Sequence, residues 1–285
     1  MAHKVVLSIQ DYSSIGRCSL TAAIPIINAC GQEIVGLPTS LLSTQTAGIK
    51  GFTFIDLADN MMPAYKHWEK LGYNFDYFYS GFLGSIPTVE NAITIVKSLK
   101  KKGTIIAVDP AMAEDGKLYA IFDEAYKEKM ISLCKYADIL MPNFTESKML
   151  AGLSLDLEPN EANARMILKI LHHNGYKTVL LSGISPDDET IGTALLDPSG
   201  RITFQYNKKV DAYIHGAGDI LSSVFIGKIM SGIAKEKAAQ AAVNFCYEVI
   251  KVSIAGKADP RYGMSFHLHL CFSQLRWPFF RSLHH

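Results

Sequence analysis

The sequence has no run of basic residues longer than Lys100-Lys101-Lys102, and its 28 Lys+Arg against 27 Asp+Glu leave a formal charge of +1. Nucleic-acid binding needs a clustered positive face, so that class of partner is argued against. No apolar run approaches the ~20 residues that span a bilayer, which speaks against a membrane protein, and no signal peptide precedes Val5. The cysteines at 18, 30, 134, 246 and 271 lack metal-type spacing and fall mostly in apolar helix-like stretches. They read as reduced core thiols, which implies a cytoplasmic protein. The chain also lacks an internal repeat, a low-complexity linker and a Gly-x-Gly-x-x-Gly after its first apolar run. Without that turn in Gln10 to Gly16, a nicotinamide-dependent dehydrogenase has no seat for its pyrophosphate.

What is present is apolar material for a sizeable core: 285 residues, 48% hydrophobic. That length is near the upper size of one domain, so we expect a single domain with a small flap. Lys4 to Ile9 reads as a buried strand, with Gln10 to Gly16 as the loop after it. Ser19 to Cys30 has helical spacing, Glu33 to Leu37 is a strand, and residues 39–54 are the candidate flap. The alternation continues with a helix Leu57 to Leu71 and a strand Phe75 to Ser80. After a helix Thr88 to Leu99 come a strand Thr104 to Val108 and a helix Asp123 to Tyr136. A strand Asp138 to Met141 then leads to a short helix from Thr145. Next are a helix Asn160 to His173 and a strand Thr178 to Leu181. Such ordering predicts an α/β fold, a mostly parallel sheet with helices on both faces. Ile191 to Leu196 and Arg201 to Tyr206 read as an antiparallel hairpin, and Lys235 to Ile250 as a closing helix.

The stretch that organises the rest is Tyr213-Ile214-His215-Gly216-Ala217-Gly218-Asp219, which opens directly into an apolar helix. Glycines at 216 and 218 let the amides of Gly216 to Asp219 converge on one point, where the free N–H groups of the helix also point. This is a seat for an anion such as phosphate. Asp219 beside it reads in two ways, as a helix cap or as a base that takes a proton from an attacking hydroxyl. His215 reads as a residue packed at a strand end, and Met61-Met62 with Phe75, Tyr77 and Phe78 as core.

Ligands in open parallel sheets collect beyond the carboxyl ends of the strands. Four polar clusters follow predicted strands: Gln10-Asp11, Asp109-Pro110, Asn143-Phe144-Thr145-Glu146 and Ser182-Gly183. Asn143-x-x-Glu146 reads either as a capping box or, with Asp109, as part of a Mg²⁺ site, since that ion favours one or two carboxylates plus phosphate oxygens.

The pairing of Asn143-x-x-Glu146 with Gly216-Ala217-Gly218-Asp219 resembles the double signature of the ribokinase-like sugar and vitamin kinases. Val6-Leu7-Ser8-Ile9-Gln10, Gly16, the Thr46 region, Asp109-Pro110, Met141-Pro142-Asn143 and Asp259-Pro260-Arg261-Tyr262-Gly263 are similar to the pyridoxal/pyridoxine kinases within them. The likeness covers residues 4–266. It implies a ribokinase-like domain over 1–266, with 267–285 as an atypical tail, and ATP-dependent phosphorylation of the 5′-hydroxymethyl group of pyridoxal, pyridoxine or pyridoxamine. It further implies Asp219 as the base and Gly216, Ala217, Gly218 and Asp219 as the anion hole. Asn143, Glu146, Ser182 and Gly218 would bind the nucleotide. Asp109 and Glu146 would serve Mg²⁺, and a monovalent cation is left open. Asp11, Thr46, Phe82 and Asp219 would hold the vitamer, Tyr119 would lie in a segment folding over the phosphates, and a homodimer is implied. Asp11 stands where the family often has serine, Phe82 where it has tyrosine and Ala217 where threonine is common, so ring contacts and vitamer preference turn on the first two. The rival readings are a hydroxymethylpyrimidine kinase of the same fold and a non-catalytic nucleotide or vitamin sensor. Retention of both Glu146 and Asp219 counts against the sensor, which needs no base.

Overall fold

The computed structural model describes residues 3–46, 49–212 and 215–272. Its first half runs β1 (Val5–Ile15), α1 (Ser19–Ala29), β2 (Glu33–Thr44), β3 (Phe54–Asp56), α2 (Ala58–Lys70), β4 (Tyr77–Ser80), α3 (Ile86–Lys101) and β5 (Ile105–Val108). There follow β6 (Ala113–Glu114), β7 (Lys117–Leu118), α4 (Glu124–Cys134), β8 (Ile139–Leu140), α5 (Phe144–Ala151), α6 (Glu161–His173) and β9 (Val179–Ile184). The chain continues through β10 (Thr190–Leu196), β11 (Ile202–Lys208), α7 (Ala217–Met230), α8 (Lys235–Ala255) and α9 (Phe266–Phe272). Local chemistry sets several boundaries. Ser85, Asp123 and Asn160 each accept a backbone N–H at the start of α3, α4 and α6, and α5 stops at Gly152 with φ 66°.

Among the described residues, nine strands share one sheet in the order β11-β10-β9-β8-β5-β4-β1-β2-β3. The run from β9 to β2 is parallel, while β10, β11 and β3 pair antiparallel. The expected hairpin is present, closing at Leu196 opposite Ile202. Strand side chains alternate between faces, so β1 feeds two cores. Leu7 and Ile9 pack with α2 to α6, whereas Val6 packs with α1, α7 and α8. Strand order reverses at β1, which lies between β2 and β4, so the crevice beyond β1 and β4 is the topological switch point.

The structure departs from or adds to the expectations in three places. β1 does not end at Ile9: with a bulge between Gln10 and Tyr12 it pairs β2 as far as Ile15 opposite Thr44, so the expected loop is strand, as is the first part of the candidate flap. Here alternation of buried Asp11 and Ser13 with exposed Tyr12 and Ser14 replaces the continuous apolar run, so polarity hid the strand. Second, a two-residue hairpin, β6–β7, stands between β5 and α4. Asp115 and Gly116, at φ 49° and 75°, make its turn, as an Asp-Gly pair readily does. Third, where the sequence has no clear period a helix, α9, runs from Phe266 to Phe272: Phe266 is buried in the second core and His269 meets the Phe245 ring at 5.1 Å. Residues 47 and 48 of the flap, 213 and 214 of the organising turn, and 273–285 of the tail lie outside the described residues.

Candidate functional site

The Gly-Ala-Gly-Asp turn opens α7 as expected, with Gly216 as the N-cap residue at φ 84°, ψ 8°. Only glycine fits, because a Cβ there would lie 2.8 Å from the Arg17 carbonyl oxygen in addition to the left-handed strain. The first intrahelical bond runs from the Ile220 N–H to the Gly216 C=O, at 3.2 Å, so the amides of Ala217, Gly218 and Asp219 precede the hydrogen-bond ladder. A Cβ on Gly218 would meet no protein atom within 4 Å, so packing does not require that glycine and it borders open space. Asp219 is in the first helical turn rather than at the cap.

The Asp219 carboxyl is pushed up to about 7, first by burial, then by the charges of Asp109 and Asp11, against the opposing Ser19 backbone N–H. Asp109, beyond the end of β5, is buried; its Oδ2 accepts from Ser222 Oγ at 2.8 Å and its Oδ1 from the Ala111 N–H at 3.3 Å. Burial and the nearby Glu146 charge raise its pKa. Asp11 is buried on the inner face of the β1–β2 ribbon and accepts from Ser13 Oγ at 2.8 Å. Desolvation raises its pKa too, while hydrogen bonds from Ser19 and Ser13 lower it. At the switch point Asp219, on α7, thus feels the charges of Asp11 on β1 and of Asp109 just past β5.

Glu146 is 1% exposed and fully engaged. Its Oε1 accepts the Met112 N–H at 2.9 Å and the Ala113 N–H at 3.4 Å, while Oε2 accepts the Asn143 N–H at 2.9 Å. Asn143 completes the capping box by accepting the Glu146 N–H at 2.9 Å and donates its amide to the Ala113 C=O at 2.7 Å. The capping-box reading therefore holds, and the same pair also fastens the β6–β7 hairpin, helped by Thr145 Oγ1 accepting the Gly116 N–H at 3.0 Å. Burial pushes the Glu146 pKa up while those amides pull it down. Ser182 lies beside Asn143 in a single parallel bridge, its N–H donating to the Pro142 C=O at 3.0 Å.

Phe82 follows β4 and meets Tyr119 at 6.5 Å and Phe122 at 5.4 Å between ring centroids. Tyr119, just after β7, is itself raised by burial and by Glu146, Glu114, Asp109 and Asp219, so it connects the aromatic wall to the acidic cluster. Thr46 is half-buried past the end of β2, and its neighbour Gln45 contacts the Arg261 C=O there. Sequence reasoning missed Ser222 and Ser19. Ser222 was findable, since it is one turn after Asp219 and shares its helix face; Ser19 acts through the start of α1, which no side-chain motif marks.

A profile of the phosphomethylpyrimidine kinase family matches residues 74–261. Pyridoxal kinase PdxY of Pasteurella multocida (strain Pm70) is 28% identical over 263 residues, 88% of this chain and 89% of that protein. A hydroxymethylpyrimidine/phosphomethylpyrimidine kinase of Staphylococcus aureus (strain MRSA252) is 24% identical over 235 residues, covering 80% and 81%. In structure, a Bacteroides thetaiotaomicron protein assigned as a phosphomethylpyrimidine kinase and crystallised with pyridoxal superposes with a TM-score of 0.89. It is 27% identical, covering 95% of each chain. The fold expected from the paired motifs is borne out, and the chain is a ribokinase-like member of the phosphomethylpyrimidine kinase family.

Proposed function

We propose that this chain transfers the γ-phosphoryl group of ATP to the 5′-hydroxymethyl oxygen of pyridoxal, pyridoxine or pyridoxamine. The observation that carries the reading is the Asp219 carboxyl, held near neutrality beside the open amide end of α7. A base with pKa near the working pH is partly ionised and able to take the hydroxymethyl proton as its oxygen attacks. The amides of Gly216 to Asp219 hold the transferring group, and the space beside Gly218 leaves room for it. Phosphoryl transfer asks mainly for such positioning and charge stabilisation. Asp11 and Phe82 hold the ring in this reading, Thr46 closes the vitamer side, and Asn143 with Ser182 borders the nucleotide.

The donor set suits Mg²⁺. Asp109 and Glu146 are buried carboxyls whose mutual repulsion a dication would relieve. Asp109 would hold the ion directly. Glu146, its oxygens taken by three backbone amides, would hold it through water. When bound, the ion neutralises charge on the phosphate oxygens. The reading extends to a cytoplasmic homodimer. In support, Tyr12, Leu41 and Ile55 are cross-strand neighbours on the outer face of β1, β2 and β3, and are 42%, 40% and 55% exposed. An apolar row of that kind fits a second copy.

A second reading, a hydroxymethylpyrimidine kinase, has the family match and the Staphylococcus aureus relative in its favour. ADP release measured with ATP, Mg²⁺ and each vitamer, beside hydroxymethylpyrimidine, separates the two. A higher kcat/KM for hydroxymethylpyrimidine than for every vitamer would replace the first reading with the second.

A further inference from the structure

Arg17, in the turn between β1 and α1, has no part in the chemistry above, yet two left-handed glycines from distant parts of the chain close on it. A Cβ on Gly216 would lie 2.8 Å from the Arg17 carbonyl oxygen. A Cβ on Gly263, at φ 76°, would lie 3.0 Å from that oxygen and 3.1 Å from the Arg17 nitrogen. The Arg17 peptide is therefore packed between the phosphate turn and the C-terminal segment, with no room for a methyl group on either side.

Hydrogen bonds hold that packing. The Arg17 N–H donates to the Tyr262 C=O at 3.1 Å, and its guanidinium Nη2 to the Gly263 C=O at 2.9 Å. One residue earlier, Gly16 packs on Gln45, where a Cβ would lie 3.2 Å from the Gln45 Cβ. Gln45 in turn donates its backbone N–H to the Ile15 C=O at 3.0 Å and its side chain to the Arg261 C=O. Residues 261–263 thus touch the end of β2, the β1–α1 turn and, through Arg17, the residue that starts the anion-binding helix.

We propose that residues 259–263 are a strap that sets the position of the phosphate turn, with Arg17 as the positioning residue that transmits it. Interiors without free volume pass on displacements rather than absorb them, so a shift of Arg17 moves Gly216 and with it the amides of 217–219. Misplacing a transferring group by about 1 Å costs about 10²-fold in rate, while ground-state binding tolerates more.

The inference rests on the kinase reading, so the parent enzyme is assayed first. A parent that phosphorylates no substrate sinks that reading, whereas an active parent with unaffected variants sinks only the strap. The test compares kcat, vitamer KM, ADP Kd and melting temperature for Arg17→Ala, Arg17→Lys, Gly263→Ala and Arg261→Ala. Arg17→Ala and Gly263→Ala should lose about tenfold or more in kcat with ADP affinity changed less than about twofold. Arg17→Lys keeps a cationic donor for the Gly263 carbonyl and should recover most of the rate. Arg261→Ala removes a side chain that pairs with Asp259 and lies over the Tyr262 ring, contacts that do not involve Arg17 or Gln45, and leaves its carbonyl in place, so it should match the parent. Parental kcat in a folded Arg17→Ala protein overturns the inference, as does loss of kcat and ADP affinity in equal proportion. If neither variant folds, hydrogen exchange on the parent decides. ADP with pyridoxine should slow exchange at 216–219 and 261–263 together, and protection of the first segment alone overturns the strap.

Discussion

Replacing Glu146 with alanine should cost more stability than the loss of a helix cap. A capping residue alone is worth about 1 kcal/mol. Glu146, however, is 1% exposed and accepts from Met112, Ala113 and Asn143 at 2.9, 3.4 and 2.9 Å. Each buried donor left without a partner costs about 1–3 kcal/mol. Discounting the long bond to Ala113, and offsetting the gain from no longer burying a carboxylate, we expect a net loss of about 2–4 kcal/mol. At about 2–4 °C per kcal/mol for a chain of this size class, the melting temperature should fall by about 5–15 °C. Glu146→Gln can still accept from Met112 and Ala113 but sets an NH₂ against the Asn143 N–H, so it should fall in between. Both variants should need more Mg²⁺ for half-maximal turnover. Calorimetry with a Mg²⁺ titration of the ADP-release rate checks both. A melting temperature within about 2 °C of the parent for Glu146→Ala would refute the hydrogen-bond reasoning, because even one orphaned buried amide costs more than that.

Three further outcomes are expected. Asp11→Ser should change the ratio of kcat/KM among pyridoxal, pyridoxine and pyridoxamine by about tenfold or more, because a charged hydrogen bond is worth about 1.5–3 kcal/mol; unchanged ratios would remove Asp11 from the ring pocket. Because Asp11, Asp109, Glu146 and Asp219 all titrate higher when folded, the folded state holds more protons than the unfolded chain between the usual carboxylate range and about pH 7. Their contribution to stability therefore falls as pH rises through that window, and Asp109→Asn should flatten the decline in melting temperature from pH 5 to 7.5; an unaltered slope contradicts the coupling. Leu41→Glu with Ile55→Glu should turn a dimer into a monomer in light scattering without changing the far-UV spectrum, and a dimer that persists would move the interface elsewhere.

The elements that were legible in the sequence owe it to cues that operate locally. Helices α3, α4 and α6 carry their apolar stripe and an N-cap within a few residues, and Gly216 to Asp219 carries its own backbone logic. What was illegible depends on partners far along the chain. The outer half of β1 is polar enough to read as loop, and only its pairing with β2 makes it strand. The β6–β7 hairpin is two residues a side and persists because Asn143, Thr145 and Glu146 hold it. Helix α9 has no periodic signal because packing in the second core, not amphipathic spacing, fixes it. For Glu146 the capping box is formed, and the same carboxyl also lies close enough to Asp109 to raise that group's pKa.

The central claim is that Asp219 takes the proton, and Asp219→Asn tests it most directly. The cap of α7 is Gly216, so the substitution removes no cap, and asparagine keeps the shape while losing the ability to accept a proton. A positioned base contributes about 10²–10⁴ in rate. With saturating ATP, Mg²⁺ and pyridoxine, kcat should fall by at least about 10²-fold, with ADP Kd within about twofold of the parent. The residual rate should also lose the decline expected of the parent as pH drops through about 7. A variant that keeps more than half of parental kcat, with the acidic limb of its pH profile intact, would contradict the account.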